Sequence, residues 1–146
     1  MNLSIEVSRK ISRAYNATCK PLCKELELSQ TAFDILMFLG NNPNYNTAGE
    51  IVEIRRIKAN LVSVNVERLV REGYLLRKQV KGDRRKTGLI CTDKAKPIIE
   101  RGRKLQKAFT ERMFLNMDDD LRKAFSEATD IIEKNLNEIL EAENKL

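Results

Sequence analysis

The sequence predicts a mainly α-helical protein with one small β-hairpin. Three observations lead to this prediction. Apolar residues recur every three or four positions along most of the chain, which is the spacing of amphipathic helices. Helix-capping residues and glycines mark the ends of these segments. Residues 74–80 and 87–92 are rich in β-branched and apolar residues and flank a basic loop, so they are typical of an antiparallel hairpin.

The first helix is predicted from a stripe of apolar residues that begins at Leu3 and ends at Leu26. We expect Pro21 to interrupt this helix, because proline removes a backbone donor and crowds the preceding turn. The segment LSQTAFDILMFLGNN predicts a second helix. Ser29 is a plausible cap at its start, and Gly40 with the following asparagines ends it.

A helix-turn-helix is predicted in the middle of the chain. Thr47 and Glu50 have the spacing of a capping box, which opens a short third helix. The fourth helix lies in KANLVSVNVERLVREGY, where the buried face is formed by Val62, Val66 and Leu69, and Gly73 ends it as a left-handed cap. Because the hairpin follows directly, the predicted architecture is a winged helix-turn-helix.

Two long helices are predicted after the hairpin. The first extends from Thr92 to about Asn116, and Pro97 should give it a late start or a slight bend. Asp118 caps the second. The apolar stripe of this last helix comprises Leu121, Phe125, Ala128, Ile132, Leu136, Ile139 and Leu140.

These elements predict three regions in the chain. Residues 1–28 form an N-terminal dimerisation helix, residues 29–92 a winged helix-turn-helix DNA-binding domain, and residues 93–146 long C-terminal helices for dimerisation. A lone helix cannot bury the last apolar stripe, and the first helix carries a similar one. Packing within one chain could satisfy both stripes, but their position at the two ends of a small domain favours a homodimer.

Composition narrows the classes of function. The 146 residues carry a formal charge of +6, and positive charge concentrates between residues 55 and 104, with sixteen Lys and Arg against five Asp and Glu. Such a distribution favours a polyanionic partner. The chain contains no histidine, so it lacks the commonest general base and neutral metal ligand. We therefore expect no enzyme and no cofactor.

The expected location of the protein is the cytoplasm. The N-terminus lacks the apolar region of a signal peptide, and nowhere do about 18 apolar residues follow one another, so no membrane segment is expected. Three cysteines, an odd number, fit a chain with reduced thiols.

The fourth helix is the candidate for base recognition, since the second helix of a helix-turn-helix enters the major groove. Opposite its buried face lie Asn60, Val64, Glu67 and Arg71, with Ser63 at the edge. Asn60 could pair with adenine, and Val64 could contact a thymine methyl group. Simple solvation of these side chains is the alternative. Because phosphate would repel Glu67, we expect it to pair with Arg71 at i+4.

The basic loop KGDRRK is the candidate tip of the wing. An arginine at a hairpin tip can enter the minor groove, and Asp83 could hold Arg85 in one rotamer for this purpose. The remaining cations would neutralise phosphates; they are Arg77, Lys78, Lys81, Arg84 and Lys86. A solvated charged turn is the alternative interpretation.

The string GDRRKTGLICTDKAK, preceded by ERLVREGYL, resembles the wing signature of the MarR family of transcriptional regulators. Asp83, Arg85, Leu89 and Thr92 match the family pattern. The order of elements resembles the family along nearly the whole chain. The resemblance implies a homodimer with interlocked terminal helices, two winged lobes on a pseudo-palindromic operator in double-stranded DNA, and commonly repression that a ligand or an oxidant relieves.

This sequence departs from the family at two positions. Cys91 stands where an aliphatic residue is common, and Pro97 disturbs the following helix. Neither residue belongs to the predicted DNA-contacting set.

Cys19 and Cys23 lie four residues apart on one helical face, so a redox pair or half of a metal site remains an alternative to two buried thiols. Lys20 and Lys24 could lower a nearby thiol pKa. Some relatives sense oxidants through a cysteine near the first helix, but no motif here carries that role over. No metal is expected, because further ligands are lacking.

A small-molecule effector is a further expected partner. Relatives that bind small aromatic acids do so between the DNA-binding lobe and the dimer helices, and Tyr15, Met37 and Phe38 could line such a pocket here.

The sequence thus predicts a dimeric, sequence-specific DNA-binding regulator, most simply a repressor. The competing hypothesis is a winged helix that serves as a protein-interaction module. A thiol enzyme using Cys19 or Cys23 lacks a base and an orienting partner.

Overall fold

The computed structural model describes residues 5–82 and 87–145. In this part of the chain six helices and two strands follow one another. They are α1 (Ile5–Leu26), α2 (Gln30–Asn41), α3 (Ala48–Arg55), α4 (Ala59–Arg71), β1 (Leu75–Gln79), β2 (Thr87–Cys91), α5 (Lys96–Met113) and α6 (Asp119–Asn144). The predicted mainly α-helical fold with a hairpin wing is confirmed. Among the described helices, none has the length and apolar character needed to cross a membrane.

The chain divides into two compact units, Met1–Phe109 and Thr110–Leu146. The core of the first unit is built around α2. Phe33, Ile35 and Leu36 of this helix are fully buried, together with Ile51 of α3. The other helices and strands contribute further apolar side chains to this core, among them Cys19, Leu22, Cys23, Val62, Val66, Leu69, Leu75, Leu89, Ile98 and Ile99.

Helix caps in the first unit form as the sequence predicts. The Ser29 hydroxyl accepts a hydrogen bond from the amide of Ala32 at 3.0 Å and caps α2. Thr47 and Glu50 form both bonds of a capping box at the start of α3. Each cap satisfies amides that would otherwise lack a partner, so the start of each helix is fixed.

Pro21 does not interrupt the first helix, and this prediction is wrong. Helix α1 continues through Pro21 to Leu26. The buried residues of α1 are Cys19, Leu22 and Cys23, which stand on both sides of the proline. The free energy gained by burying these side chains in a helical arrangement offsets the loss of one backbone hydrogen-bond donor at Pro21.

Pro97 lies in the first turn of α5, where proline is tolerated, so the predicted late start of this helix is confirmed.

The hairpin is anchored on the helix-turn-helix by backbone pairing. Its strands are antiparallel, and Arg77 stands opposite Leu89 in the register. Leu89 is buried, and its amide donates to the carbonyl oxygen of Asn46 at 2.6 Å. Thr47 and Gly88 form an isolated bridge beside this bond. The segment that opens α3 therefore acts as a short third strand, which fixes the base of the wing.

The second unit consists of the end of α5 and helix α6. Asp118 caps α6 by accepting a hydrogen bond from the Leu121 amide at 2.8 Å, as predicted. The rings of Phe114 and Phe125 pack edge to face with centroids 5.4 Å apart. No residue of α6 is buried within the chain. The predicted apolar stripe of this helix therefore stays largely exposed.

Candidate nucleic-acid interface

Helix α4 has one buried face and one exposed face, as the sequence predicts. Val62, Val66 and Leu69 point into the core. On the opposite side the four exposed candidates for base contact are Asn60, Ser63, Val64 and Arg71. Val64 keeps 66% of its surface exposed, which leaves an apolar side chain in water beside hydrogen-bonding groups. A face of this composition can offer both polar and methyl contacts to base edges.

The predicted ion pair between Glu67 and Arg71 does not form, and this prediction is wrong. Among the described residues the i,i+4 pair of α4 joins Arg68 to Glu72, with 3.0 Å between Nε and Oε1. Arg68 faces this partner because it lies at the edge of the buried side. Glu67 and Arg71 are both exposed, and water solvates the charges that the pair would have neutralised.

The start of α4 lacks a side-chain cap. Lys58 occupies the cap position and makes no capping hydrogen bond. The first-turn amides of α4 are therefore available to water or to an anion, which the positive end of the helix dipole would also favour. Arg56, just before this position, adopts a left-handed backbone conformation with φ of 54° and is exposed. Two exposed cations thus precede the candidate recognition helix.

The described arm of the wing carries cations without carboxylate partners. Arg77, Lys78 and Lys81 are exposed, and none of them forms an ion pair within residues 5–82 and 87–145. The same holds for Arg71 of α4. Unpaired cations at this density favour a polyanion. The other predicted wing residues, Asp83, Arg84, Arg85 and Lys86, lie outside the described residues.

The end of α4 and the base of the hairpin are joined by polar contacts. Gly73 has φ of +85°, and the amides of Gly73 and Tyr74 donate to the carbonyl oxygens of Val70 and Leu69. This bonding is that of a Schellman motif, so the left-handed cap predicted at Gly73 is confirmed. Thr92 donates from its hydroxyl to the Gly73 carbonyl oxygen at 2.6 Å. The exposed face of α4 and the strands of the wing are consequently held in one arrangement.

Lys94 reinforces this junction. Its ammonium group donates to the Glu72 carbonyl oxygen at 2.7 Å and stands 4.5 Å from the centre of the Tyr74 ring. A cation at this place interacts favourably with the negative end of the α4 dipole. This role of Lys94 was not predicted, although the lysine lies inside the wing motif, two residues after Thr92.

Two further polar links hold α4 from the other side, and neither was predicted from the sequence. Asn65 is buried, and its Oδ1 accepts a hydrogen bond from the Ser29 hydroxyl at 2.8 Å. Arg68 Nη2 donates to the Glu27 carbonyl oxygen at 2.7 Å. The only hint in the sequence was a polar residue, Asn65, between two residues of the apolar stripe of α4.

A cavity of about 210 Å³ lies in the first unit, beside α2. Three of its lining residues are Tyr15, Met37 and Phe38, as the sequence analysis expected, and Asp34 and Arg55 add opposite charges. Arg55 lies 3.7 Å from Asp34, and Gln30 donates to the Asp34 carboxylate at 2.9 Å. Burial raises the pKa of Asp34 above its usual range, although Gln30 and Arg55 oppose the shift. The cavity therefore combines aromatic surface with a carboxyl group.

The two cysteines of α1 are buried, and burial disfavours the charged thiolate form of each side chain. Burial raises the pKa of the Cys19 thiol, and it raises that of Cys23 from 9.0 to about 11. Lys20 and Lys24, which could have lowered these values, are exposed. Burial also raises the pKa of the Cys91 thiol on β2. Within the described part of the chain, no three His, Cys, Asp or Glu side chains cluster in a way that could hold a metal ion.

These features define a winged helix-turn-helix protein with exposed cations along α4 and β1. A sequence model of the MarR family matches residues 26–86, which include the helix-turn-helix and the first part of the wing. The match covers less than half of the chain, and it falls in the family that the wing motif resembles. No curated protein sequence matches the chain.

Solved structures share this architecture. A MarR protein from Peptoclostridium difficile is 26% identical, with a TM-score of 0.77 and coverage of 93% of this chain and 88% of the other. A putative MarR family transcriptional regulator from Listeria monocytogenes, solved in complex with a 26mer DNA, is 18% identical, with a TM-score of 0.80 and coverage of 93% and 90%. A MarR transcriptional regulator from Methanosarcina mazei is 20% identical, with a TM-score of 0.76 and coverage of 92% and 96%. The likeness extends over more than nine tenths of this chain and confirms the fold.

Proposed function

We propose that this protein is a homodimeric transcriptional regulator that binds double-stranded DNA with sequence specificity and represses transcription from a pseudo-palindromic operator. The observation that carries the proposal is the exposed face of α4, flanked by exposed cations that form no ion pair with any other described residue. The solved complex of the Listeria relative with DNA supports the same role for this fold. In this proposal residues 29–92 bind DNA, whereas residues 1–28 and 93–146 hold the two copies together.

Helix α4 would lie in the major groove with Asn60, Ser63 and Val64 towards the bases. Asn60 has an amide that matches the donor and acceptor of adenine, and Val64 has methyl groups that match thymine. Arg71, at the far end of the helix, would contact the backbone. Because hydrocarbon contact with a thymine methyl would remove Val64 from water, its 66% exposure in the free chain favours this assignment.

The wing would follow the DNA backbone into the adjacent minor groove. Arg77, Lys78 and Lys81 are exposed cations whose side chains would neutralise phosphates. Arg84 and Lys86 would add to them. We propose that Arg85 enters the minor groove and that Asp83 orients it; this assignment rests on the sequence motif alone.

The proposed dimer interface includes the apolar stripe of α6. Leu136, Ile139 and Leu140 each remain at least half exposed within the chain. On α1, Ile5 and Val7 are also exposed, by 71% and 56%. A second copy of the chain offers matching apolar stripes, and obligate dimers typically bury about 2,000 Å² or more. Two copies related by a two-fold axis would present two α4 helices, which accounts for a pseudo-palindromic site.

We also propose that a small aromatic molecule modulates DNA binding through the cavity beside α2. Tyr15 and Phe38 supply ring surfaces there, and Asp34 and Arg55 supply polar contacts. An oxidant acting on Cys19 and Cys23 is the less favoured signal, because buried thiols of raised pKa react slowly. Thermal unfolding with a panel of aromatic acids and amines tests the ligand response, since a ligand that binds the folded chain raises the unfolding midpoint, and at equal concentration a tighter ligand raises it more.

Selection of bound duplexes from a random pool tests the central proposal. We expect enrichment of inverted repeats whose half-sites lie about 10 base pairs apart, or a multiple of that spacing. The alternative, a winged helix that docks onto another protein, predicts no enriched duplex sequence. Such a module would also have no need for unpaired cations along β1.

A further inference from the structure

The turn between α1 and α2 is joined to α4 by two hydrogen bonds. The Ser29 hydroxyl donates to Asn65 Oδ1 at 2.8 Å, and Arg68 Nη2 donates to the carbonyl oxygen of Glu27 at 2.7 Å. Asn65 and Arg68 are three residues apart, so they lie on the same side of α4 on successive turns. We refer to these four residues, Glu27, Ser29, Asn65 and Arg68, as the positioning cluster.

The turn that provides half of the positioning cluster is itself tightly fixed. Glu27 has φ of 56°, and its amide donates to the carbonyl oxygen of Lys24 at 3.2 Å. The amide of Leu28 donates to the carbonyl oxygen of Cys23 at 2.9 Å, which completes a Schellman motif. Leu28 is buried, and Ser29 caps α2. The atoms that contact α4 therefore belong to a turn with little conformational freedom.

The α4 side of the positioning cluster is equally constrained. Asn65 is 9% exposed, and its Nδ2 donates to the Leu61 carbonyl oxygen at 2.8 Å, which holds the amide in one orientation. Arg68 is held by Glu72 through the contact between Nε and Oε1. Each side chain thus uses one partner within α4 and one partner on the turn.

The apolar contacts of α4 fix its rotation and axial position less sharply than the positioning cluster does. Val62, Val66 and Leu69 bury one face of the helix, but the hydrophobic effect has no directional preference. Hydrogen bonds weaken steeply when their distances and angles change. Base recognition requires the same precision on the opposite face of the helix.

We propose that Ser29, Asn65 and Arg68 are positioning residues, which set the rotation and axial position of α4 and thereby the placement of its DNA-facing surface. The inference rests on the proposed function, in which α4 contacts bases. It assigns to the α1–α2 turn the role of fixing the proposed recognition helix in place.

The test compares specific with non-specific DNA binding in Asn65→Leu. This substitution removes the bond to Ser29, keeps the α2 cap, conserves charge and retains side-chain bulk. The probes are a duplex selected by the wild-type chain and a scrambled duplex of the same length. We expect about a ten-fold loss of affinity for the selected duplex, equivalent to one lost base contact. Affinity for the scrambled duplex should change by less than about two-fold, because phosphate contacts and charge are unchanged.

Two control variants separate positioning from folding. Ser29→Thr keeps both the capping oxygen and the hydroxyl donor, so it should bind both duplexes like wild type. Ile98→Val removes a buried methyl group of α5 without touching the positioning cluster. It lowers stability, yet discrimination between the duplexes should persist. If Asn65→Leu does not fold, Arg68→Lys serves instead, because it keeps the charge but cannot bridge Glu27 and Glu72 at once.

The outcomes distinguish failure of this inference from failure of the proposed function. Unchanged affinity of folded Asn65→Leu for the selected duplex would overturn the positioning role. Equal losses for both duplexes would overturn it as well, because they would show a general effect on binding. A wild-type chain that binds selected and scrambled duplexes equally would instead overturn the proposed function.

Discussion

The Thr92 hydroxyl donates a 2.6 Å hydrogen bond to the carbonyl oxygen of Gly73, and the Thr92 amide donates to Tyr74 at 3.0 Å. These two bonds join the end of the wing to the end of α4. The threonine of the wing motif is thus a structural residue that fixes the angle between two proposed DNA-contacting elements.

Thr92→Val should lower the free energy of unfolding by about 0.5–1 kcal/mol, because it removes a side-chain hydrogen bond that water can replace in part. Thr87→Val is the matched control, since Thr87 is exposed at the start of β2, the strand that precedes Thr92, and its hydroxyl forms none of the described hydrogen bonds. Urea denaturation of both variants measures the difference. Equal stability of the two variants would show that the Thr92 bond contributes nothing.

Gly40→Ala should destabilise the first unit by about 1–3 kcal/mol through overpacking. A Cβ at this position would lie 2.6 Å from Cγ2 of Ile99, whose branched side chain cannot move away freely. Gly49→Ala is the contrasting variant, because a Cβ there meets only the Thr47 oxygen at 4.0 Å. It should stabilise α3 by about 0.5–1 kcal/mol through helix propensity. Thermal unfolding that ranks the two variants in the opposite order would contradict the described packing of α2 against α5.

Stability should fall between about pH 9 and pH 11 in a way that depends on Cys23. Burial raises the pKa of this thiol from 9.0 to about 11, so the unfolded chain loses the proton first as pH rises. Fewer bound protons in the unfolded state mean that the free energy of unfolding decreases with pH across this window. The comparison of wild type with Cys23→Ala isolates the thiol from other groups that titrate there. If the free energies of unfolding of wild type and Cys23→Ala differ by the same amount from pH 8 to pH 11, the thiol is not both buried and protonated in the folded chain.

Leu136→Glu should weaken the proposed dimer by more than about ten-fold, because it places an unpaired carboxylate in an apolar interface. Asn137→Glu introduces the same charge on the polar face of α6, outside the apolar stripe, and should leave assembly unchanged. Sedimentation velocity over a range of protein concentrations measures both. If Leu136→Glu is as dimeric as the wild-type protein at the same concentrations, the interface assigned to α6 is wrong.

Arg85→Ala should weaken operator binding by about 1–3 kcal/mol if the guanidinium enters the minor groove. Asp83→Ala should cause a similar loss, although it removes a negative charge, because the arginine would lose its orienting partner. Fluorescence anisotropy with a selected duplex measures both effects. Tighter binding by Asp83→Ala would rule out the orienting role. It would show instead that the Asp83 carboxylate only repels the DNA phosphates.

Local signals in the sequence predicted most of the fold. Ser29, the Thr47 and Glu50 pair, and Asp118 cap helices as expected, because capping depends on residues three apart. Gly73 ends α4 because it can adopt positive φ. Pro21 shows the limit of such signals, since its effect on α1 depends on core packing by residues distant in sequence.

The contacts that position the candidate site could not be predicted in this way. Asn65 meets Ser29 across 36 residues, and Arg68 meets Glu27 across 41 residues. Periodicity placed the exposed face of α4 correctly but gave no information about which distant polar atoms its other side meets. The pairing expected for Glu67 failed for the same reason, because spacing permits an ion pair but does not require it.

The dependence of duplex affinity on salt tests the central claim most directly. We expect the logarithm of the affinity of the wild-type chain for its selected duplex to fall linearly with the logarithm of the salt concentration. For about 6–10 phosphate contacts, the loss between about 50 and 200 mM salt would be about 10³–10⁵-fold. No measurable affinity for any duplex at about 50 mM salt would contradict a nucleic-acid role for α4 and the wing.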